Sequence, residues 1–338
     1  MDDPGLIMLL AILITAVVFD YINGFHDTAN AIATVVSTRV LSPFAAVLMA
    51  AFFNFVGALT GTSVAKTVGR DILDPTNSTQ FIVLASLLAA IVWNLVTWYF
   101  GLPSSSSHAL IGGLIGAGLA GNGFNLAVIK GDGVWKVIVG LVTSPIMGFI
   151  IGYLVMVLLS WLLVRATPHF VNRWFRRLQL FSAAFMAYSH GGNDAQKTMG
   201  IMALAVLTYE SHGNVNSNAS FNIPIWIILL AATAMALGTA TGGWRIIRTM
   251  GSKIIDLVPI QGFAAETSAA TVIETASRLG LPVSTTHVIS ASIMGVGASG
   301  RISAVRWSMV GSIVRAWVLT LPVCIALGIL FELLMLVL

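Results

Sequence analysis

Residues 101–121, GLPSSSSHALIGGLIGAGLAG, return at 280–300 as GLPVSTTHVISASIMGVGASG, and the two copies stay 179 positions apart throughout. Gly101, Leu102, Pro103, Ser105, His108, Gly116, Gly118 and Gly121 recur as Gly280, Leu281, Pro282, Ser284, His287, Gly295, Gly297 and Gly300. Ser106 and Ser107 become Thr285 and Thr286, so the hydroxyls are kept where identity is not. One polar hairpin is built twice. Each copy sets hydroxyls and backbone N–H groups in an apolar setting, and such a pair calls for a ligand.

The surrounding chain is 57% hydrophobic and 9% charged over 338 residues, with mean hydropathy +0.92. That is too little polar surface to cover a soluble globule of this size, so the solvent is the bilayer. A cell-membrane protein with no nucleic-acid partner is expected. The first apolar run follows Asp2 and Asp3 and lacks a basic flank and a small-residue cleavage site, so it is expected to stay in the mature protein. Cys324 is the one cysteine, forms no internal disulfide and reads as packing.

Apolar runs cover 6–41, 43–64, 81–121, 134–164, 181–209, 224–244, 257–298 and 305–338. A spanning helix takes roughly 20 residues, and several runs are longer. The 6–41 run carries Asn23, Gly24, His26, Asp27 and Asn30 near its middle, and the 181–209 run carries His190 to Asp194 and Lys197. These are read as broken helices, allowed where loosened backbone faces protein or a cavity. The runs at 81–121 and 257–298 are read as re-entrant helical hairpins turning at Gly-Leu-Pro. The expected fold is an all-α polytopic membrane protein of two inverted-topology repeats, 1–164 and 181–338, joined by a cytoplasmic segment at 165–180. Arg165, Arg173, Arg176 and Arg177 set that joint inside by the positive-inside rule. Counting outward puts Arg39, Arg245, Arg248, Lys253, Arg301 and Arg306 inside, with Lys66, Arg70, Lys130, Lys136 and both chain ends outside. Inverted repeats are a secondary-transporter architecture.

At each hairpin tip, Pro with Ser or Thr around it is the ordinary grammar of a helix start, and capping alone would explain it. Two such starts aimed at one midplane point would instead form an anion site. His108 and His287 follow the hydroxyl runs and are read as either structural or part of that site. Asp27 and Asp194 take matching places in the long runs, with Asn23 and Asn30 on the helical face of the first and His190 and Lys197 on that of the second. An intramembrane carboxylate is expensive and functional by default. Both aspartates read as ligands for a hard monovalent cation, against a buried Asp194–Lys197 ion pair as the alternative. Gln261 and Glu266 lead into the second hairpin, where Glu266 has only Leu87 at the matching place in the first. Glu266 binds a cation, carries a proton, or pairs with Arg278 or Lys197. Arg315 reads as a snorkelling or interhelical side chain, and Gly112 and Gly116 as close helix packing.

GFHDTANA at 24–31 and GGNDAQKT at 191–198, followed by the paired hairpins, resemble the inorganic phosphate transporter family, whose repeated signature is close to Gly-Ala-Asn-Asp-Val-Ala-Asn-Ala. The resemblance runs from about residue 20 to 315. It implies inverted repeats with two re-entrant hairpins, a homodimer, and symport of phosphate with sodium or protons. By matching position it links Asp27, Asn30, Asn193 and Asp194 to the cation, and Ser105, Ser106, Ser107, Ser284, Thr285 and Thr286 to phosphate. His26 departs from the family's Asn before the first aspartate.

Sodium at Asp27 and Asp194, with Asn23, Gln261 and Glu266 as further candidates, is favoured over protons because amide, hydroxyl and carbonyl oxygens gather around the acids. Import of phosphate by symport is therefore expected, with proton-coupled phosphate, metal-phosphate or sulfate transport as alternatives. Nearby aspartates tilt the anion toward phosphate, which keeps a P–OH donor where sulfate has none. An intramembrane aspartyl protease built on Asp27 and Asp194 leaves the twin hairpins unexplained and lacks the Tyr-Asp and Gly-x-Gly-Asp sequences. A serine hydrolase lacks the Gly-x-Ser-x-Gly elbow. No catalytic residue and no cofactor beyond the coupling ion is expected.

Overall fold

A computed structural model describes residues 3–211 and 221–337. Among them are twelve α-helices and no β-strand. The first six are α1 (Pro4–Ser37), α2 (Pro43–Ala58), α3 (Ser63–Lys66, continued by a π-helical turn to Asp71), α4 (Gln80–Phe100), α5 (Ser106–Gly121) and α6 (Gly131–Leu162). The second six repeat the order: α7 (Pro168–Glu210), α8 (Ile225–Thr241), α9 (Trp244–Ser252), α10 (Pro259–Arg278), α11 (Thr285–Gly300) and α12 (Trp307–Val337). Polar residues in the connections set the boundaries. Asp3, Ser42, Thr79 and Thr167 accept hydrogen bonds from the free N–H groups opening α1, α2, α4 and α7, and Pro43 and Pro168 stand where no donor is needed.

Helices α1, α4, α6 and α12 are each long and apolar enough to cross a bilayer. The chain is a multi-pass membrane protein. At 43 residues α7 is roughly 65 Å long, about twice the hydrocarbon thickness, so its amino-terminal turns continue beyond the bilayer. Within the expected connecting segment, residues 168–180 are thus the helical start of α7.

The structure corrects the position of the helix breaks. Both α1 and α7 run unbroken through their polar motifs. The bends lie next door, 67° between α2 and α3 and 71° between α8 and α9. Gly24 and Gly191, three residues before each aspartate, are needed for close approach and not for bending. A Cβ on Gly24 would come 2.4 Å from the Met235 carbonyl oxygen of α8, and one on Gly191 would come 2.1 Å from that of Asn54 on α2. The glycines let α1 cross α8 and α7 cross α2 with the backbones nearly touching.

Two helical hairpins turn at Gly-Leu-Pro, over 80–121 and 259–300 against the expected 81–121 and 257–298. Gly101 and Gly280 end α4 and α10 at φ +64° and +67°, a left-handed conformation that glycine adopts without strain. In the first hairpin Gly121 lies against Ile82 and Gly113 against Ser86, so the arms are antiparallel. At 16 residues, about 24 Å, α5 and α11 are shorter than the hydrocarbon core. Each shorter arm packs on the last helix of the other half, α5 on α12 and α11 on α6. Gly116 meets the Ile325 carbonyl and Gly295 that of Phe149, and Gly112 packs on Cys324, which is buried. The halves interlock, and both tips come to lie between α1 and α7.

Candidate substrate site

Asp27 on α1 and Asp194 on α7 are both buried, 2% and 1% exposed, although their run of helix was expected to be broken. Their carboxylates and the His190 ring lie with one ligand atom each within 4.8 Å of one another. The tips close over them. Ser106 donates to Asp27 Oδ2 at 3.4 Å, and Thr285, its counterpart 179 positions on, donates to Asp194 Oδ2 at 2.9 Å. Asn30 Nδ2 donates to Thr286 at 2.9 Å and reaches Thr285 at 3.3 Å. Lys197, three residues after Asp194 as Asn30 is three after Asp27, donates to Ser107 and Asp194, and at 3.1 Å to the Val283 carbonyl. Two helices and two tips, one of each from each half, meet in one buried polar cluster.

The two readings of the tip hydroxyls divide by position. Ser105 and Ser284 are caps, accepting the backbone N–H of His108 and His287 at 3.2 and 3.3 Å. The next two residues of each tip face the aspartates, Asn30 and Lys197 instead. His108 and His287 stack behind the tips with ring centroids 5.2 Å apart, and His287 lies 4.1 Å from the Trp317 ring. Trp317 donates to the Pro103 carbonyl at 3.0 Å, pinning the first tip to α12.

Each aspartate also has a nitrogen base beside it. His26 Nδ1 is 2.6 Å from Asp27 Oδ1, and His26 Nε2 is 3.0 Å from Thr97 Oγ1. His26 therefore orients Asp27 against α4. His190 Nε2 is 3.1 Å from Asp194 Oδ2, while its Nδ1 is 3.0 Å from Asn54 Oδ1. The Asp194–Lys197 ion pair, an alternative in the sequence, is formed. It does not displace Asp194 from the cluster.

Among the described residues, the remaining sequence candidates make no hydrogen bond to either aspartate. Asn193 donates to Ser277 at 2.7 Å and holds α7 against α10, with its Oδ1 buried and unpartnered. Asn23 Oδ1 is likewise buried without a partner, one turn before Asp27. Gln261 is at the start of α10, accepting from the Val258 N–H at 3.1 Å, apart from both aspartates. Glu266 pairs with neither Arg278 nor Lys197. It accepts from Thr34, from Ser182, and from Gln179 at 3.0 Å, a separate buried knot joining α1, α7 and α10. Arg278 pairs with Glu274 on its own helix, and among the described residues Arg315 donates to the Gly311 carbonyl and the Ser312 hydroxyl one turn back, the snorkelling arrangement.

Sequence reading missed Asp20. It is fully buried on α1, two turns before Asp27, and accepts from Thr198 of α7 at 2.8 Å. Its seven-residue spacing from Asp27 puts both on one face, a signal available in the sequence. Ser104 was also missed. It donates to Thr97 at 2.8 Å and completes the chain from the first tip to His26.

The phosphate transporter family matches residues 23–328, a span that contains every residue of this cluster except Asp20. A Rhizobium meliloti protein described as "Probable low-affinity inorganic phosphate transporter" is 52% identical over 316 residues, 93% of this chain and 92% of that protein. A Bacillus subtilis protein with the same description is 48% identical over 328 residues, 96% of each. Among solved structures, one titled "The sodium-dependent phosphate transporter" superposes with a TM-score of 0.86 at 25% identity, covering 98% of this chain and 99% of that one.

Proposed function

The chain belongs to the phosphate transporter family, and from that premise we propose that it imports inorganic phosphate by cation symport, holding the anion between the two hairpin tips. It is a transporter and not an enzyme, which disposes of the protease and hydrolase readings. The observation that carries the site is the convergence of Ser106, Ser107, Thr285 and Thr286 with Asn30 and Lys197, six buried polar side chains from four elements around one point. Hydroxyls, an amide and an ammonium are donors suited to an oxyanion, and the opening turns of α5 and α11 add their free N–H groups. Acceptors among them, the aspartates and the Val283 carbonyl, suit the P–OH of phosphate and are repulsive toward sulfate.

Sodium is the coupling ion in this proposal. Support comes from the oxygen-rich cluster at Asp27 and from the likeness to a transporter titled sodium-dependent. Protons are the second reading, favoured by one observation: His26 and Lys197 already engage the two aspartates. Two inverted repeats, 1–164 and 181–338, rocking about the tips would expose the site alternately, and homodimeric assembly completes the proposal. The test is radiolabelled phosphate uptake into proteoliposomes under a sodium gradient at equal pH, and under a pH gradient without sodium. Uptake driven by sodium supports the first reading, and uptake driven only by the pH gradient replaces sodium with protons. No uptake under either gradient removes the proposal.

A further inference from the structure

Among the differences between the two halves around their aspartates, one concerns the side chain that bridges to the tips. Three residues after Asp27 stands Asn30, and three after Asp194 stands Lys197. Both side chains do the same thing in space. Asn30 reaches from α1 to Thr286 at the second tip, and Lys197 reaches from α7 to Ser107 at the first, residues at equivalent places in the two tips. One bridge is a neutral amide, the other an ammonium.

Lys197 is 3% exposed. A buried ammonium is tolerated only when its donors and its charge are both satisfied. Its charge is met by Asp194, while two of its donors rest on neutral oxygens, the Ser107 hydroxyl and the Val283 carbonyl. These are the weaker partners, and both belong to the tips. A phosphate oxygen arriving there is a stronger, charged acceptor for the same protons. The ammonium also neutralises Asp194, which leaves that carboxylate little attraction for a mobile cation. Asp27 has no such tethered ammonium, since Asn30 carries no charge.

We infer that Lys197 is a direct ligand of the transported phosphate and a built-in countercharge for the second half, so that a mobile coupling cation is held only at the Asp27 half. The inference rests on the proposed placement of phosphate between the tips. It replaces the expectation of sodium at both Asp27 and Asp194 with one mobile ion and one tethered one.

The test uses the full-length protein in proteoliposomes and the variant Lys197→Asn, which copies Asn30 into the second half. Phosphate uptake is measured across a sodium titration at fixed pH and ionic strength. The expected result is a phosphate KM raised about tenfold or more at low sodium, recovering as sodium rises, with a steeper sodium dependence than the unmutated protein because a second ion now enters beside Asp194. A KM within twofold of the unmutated protein with an unchanged sodium curve overturns the inference, as does a raised KM that no sodium concentration restores. Should Lys197→Asn not fold, a phosphate-bound structure of the unmutated protein decides the matter. Nζ within hydrogen-bond distance of the anion is expected, and phosphate at the tips with Nζ still out of reach overturns it. Failure of the unmutated protein to take up phosphate would sink the proposed function itself. Uptake weakened by tip variants and untouched by Lys197→Asn sinks only this inference.

Discussion

At the residue scale the two aspartates look equivalent in the sequence and are not equivalent in their surroundings. Asp194 is one partner of a buried ion pair, whereas Asp27 leans on a histidine and a serine. Removing one charge of a buried pair leaves the other uncompensated, at about 3–5 kcal/mol. Asp194→Asn is therefore expected to lower the thermal unfolding temperature of the purified protein well below that of Asp27→Asn. Adding Lys197→Met to Asp194→Asn should recover much of the loss, because the stranded ammonium is gone. Equal melting of the two single variants would contradict the asymmetry. A second prediction concerns the tips. Ser106 and Thr285 each sit on an aspartate and face the same point, so losing both should weaken phosphate uptake by more than the product of the single effects. Single alanine variants should each raise the phosphate KM by roughly fivefold, the worth of one hydrogen bond of about 1 kcal/mol. Independent, negligible effects in the Ser106→Ala, Thr285→Ala pair would reduce the tips to helix caps.

At the element scale the short hairpin arms are held by backbone contact. A Cβ on Gly116 would approach the Ile325 carbonyl oxygen to 2.1 Å, and one on Gly295 would approach that of Phe149 to 2.1 Å, whereas one on Gly300 would meet nothing within 4 Å. No rotamer relieves a clash between a Cβ and a carbonyl, so α5 would have to lift from α12, or α11 from α6. Gly116→Ala and Gly295→Ala are expected to reduce the yield of monodisperse protein in detergent several-fold, with Gly300→Ala unaffected. Size-exclusion chromatography of the three variants, expressed in parallel, reads the outcome. Comparable yields for all three would show that the arms are less tightly seated than their geometry indicates. The last helices carry Pro145 and Pro322 within their spans, and each continues past its proline while packed on an arm of the other half.

At the scale of the whole molecule the arrangement is an exchange. Each half lends its hairpin to the last helix of the other, and the first helices of both halves cross the partner's second. Neither half encloses the site alone, since Asn30 reaches the second tip and Lys197 the first. Rocking of one half against the other would therefore have to part or slide these contacts. The charge pattern predicts a direction for this assembly in the membrane, which cysteine labelling can read. With Cys324→Ser as background, cysteines at Arg173 and at Asn77 are expected to react with an impermeant maleimide from opposite sides, Arg173 from the cytoplasm. Labelling of both from one side would overturn the inverted topology.

Much of the fold was legible because its signals are local. Apolar runs of spanning length, caps and prolines at helix starts, and a hairpin repeated at a fixed offset each leave their mark on consecutive residues. The breaks were misplaced for an equally physical reason. A glycine that ends a helix and a glycine that lets two helices touch are the same letter, and the contacts of Gly24 with α8 and Gly191 with α2 exist only between segments far apart in sequence. The same holds for Glu266, whose partners Thr34, Gln179 and Ser182 come from two other helices.

The sequence by itself determined the membrane setting, the doubled hairpin and the residue types of the site, because hydropathy, repetition and side-chain chemistry are properties of the chain. Tertiary structure alone decided which hydroxyls cap and which face the aspartates, and that Lys197 bridges both tips while Asn30 bridges neutrally. Those distinctions depend on which helix lies opposite, and that is set by the packing of interlocked backbones.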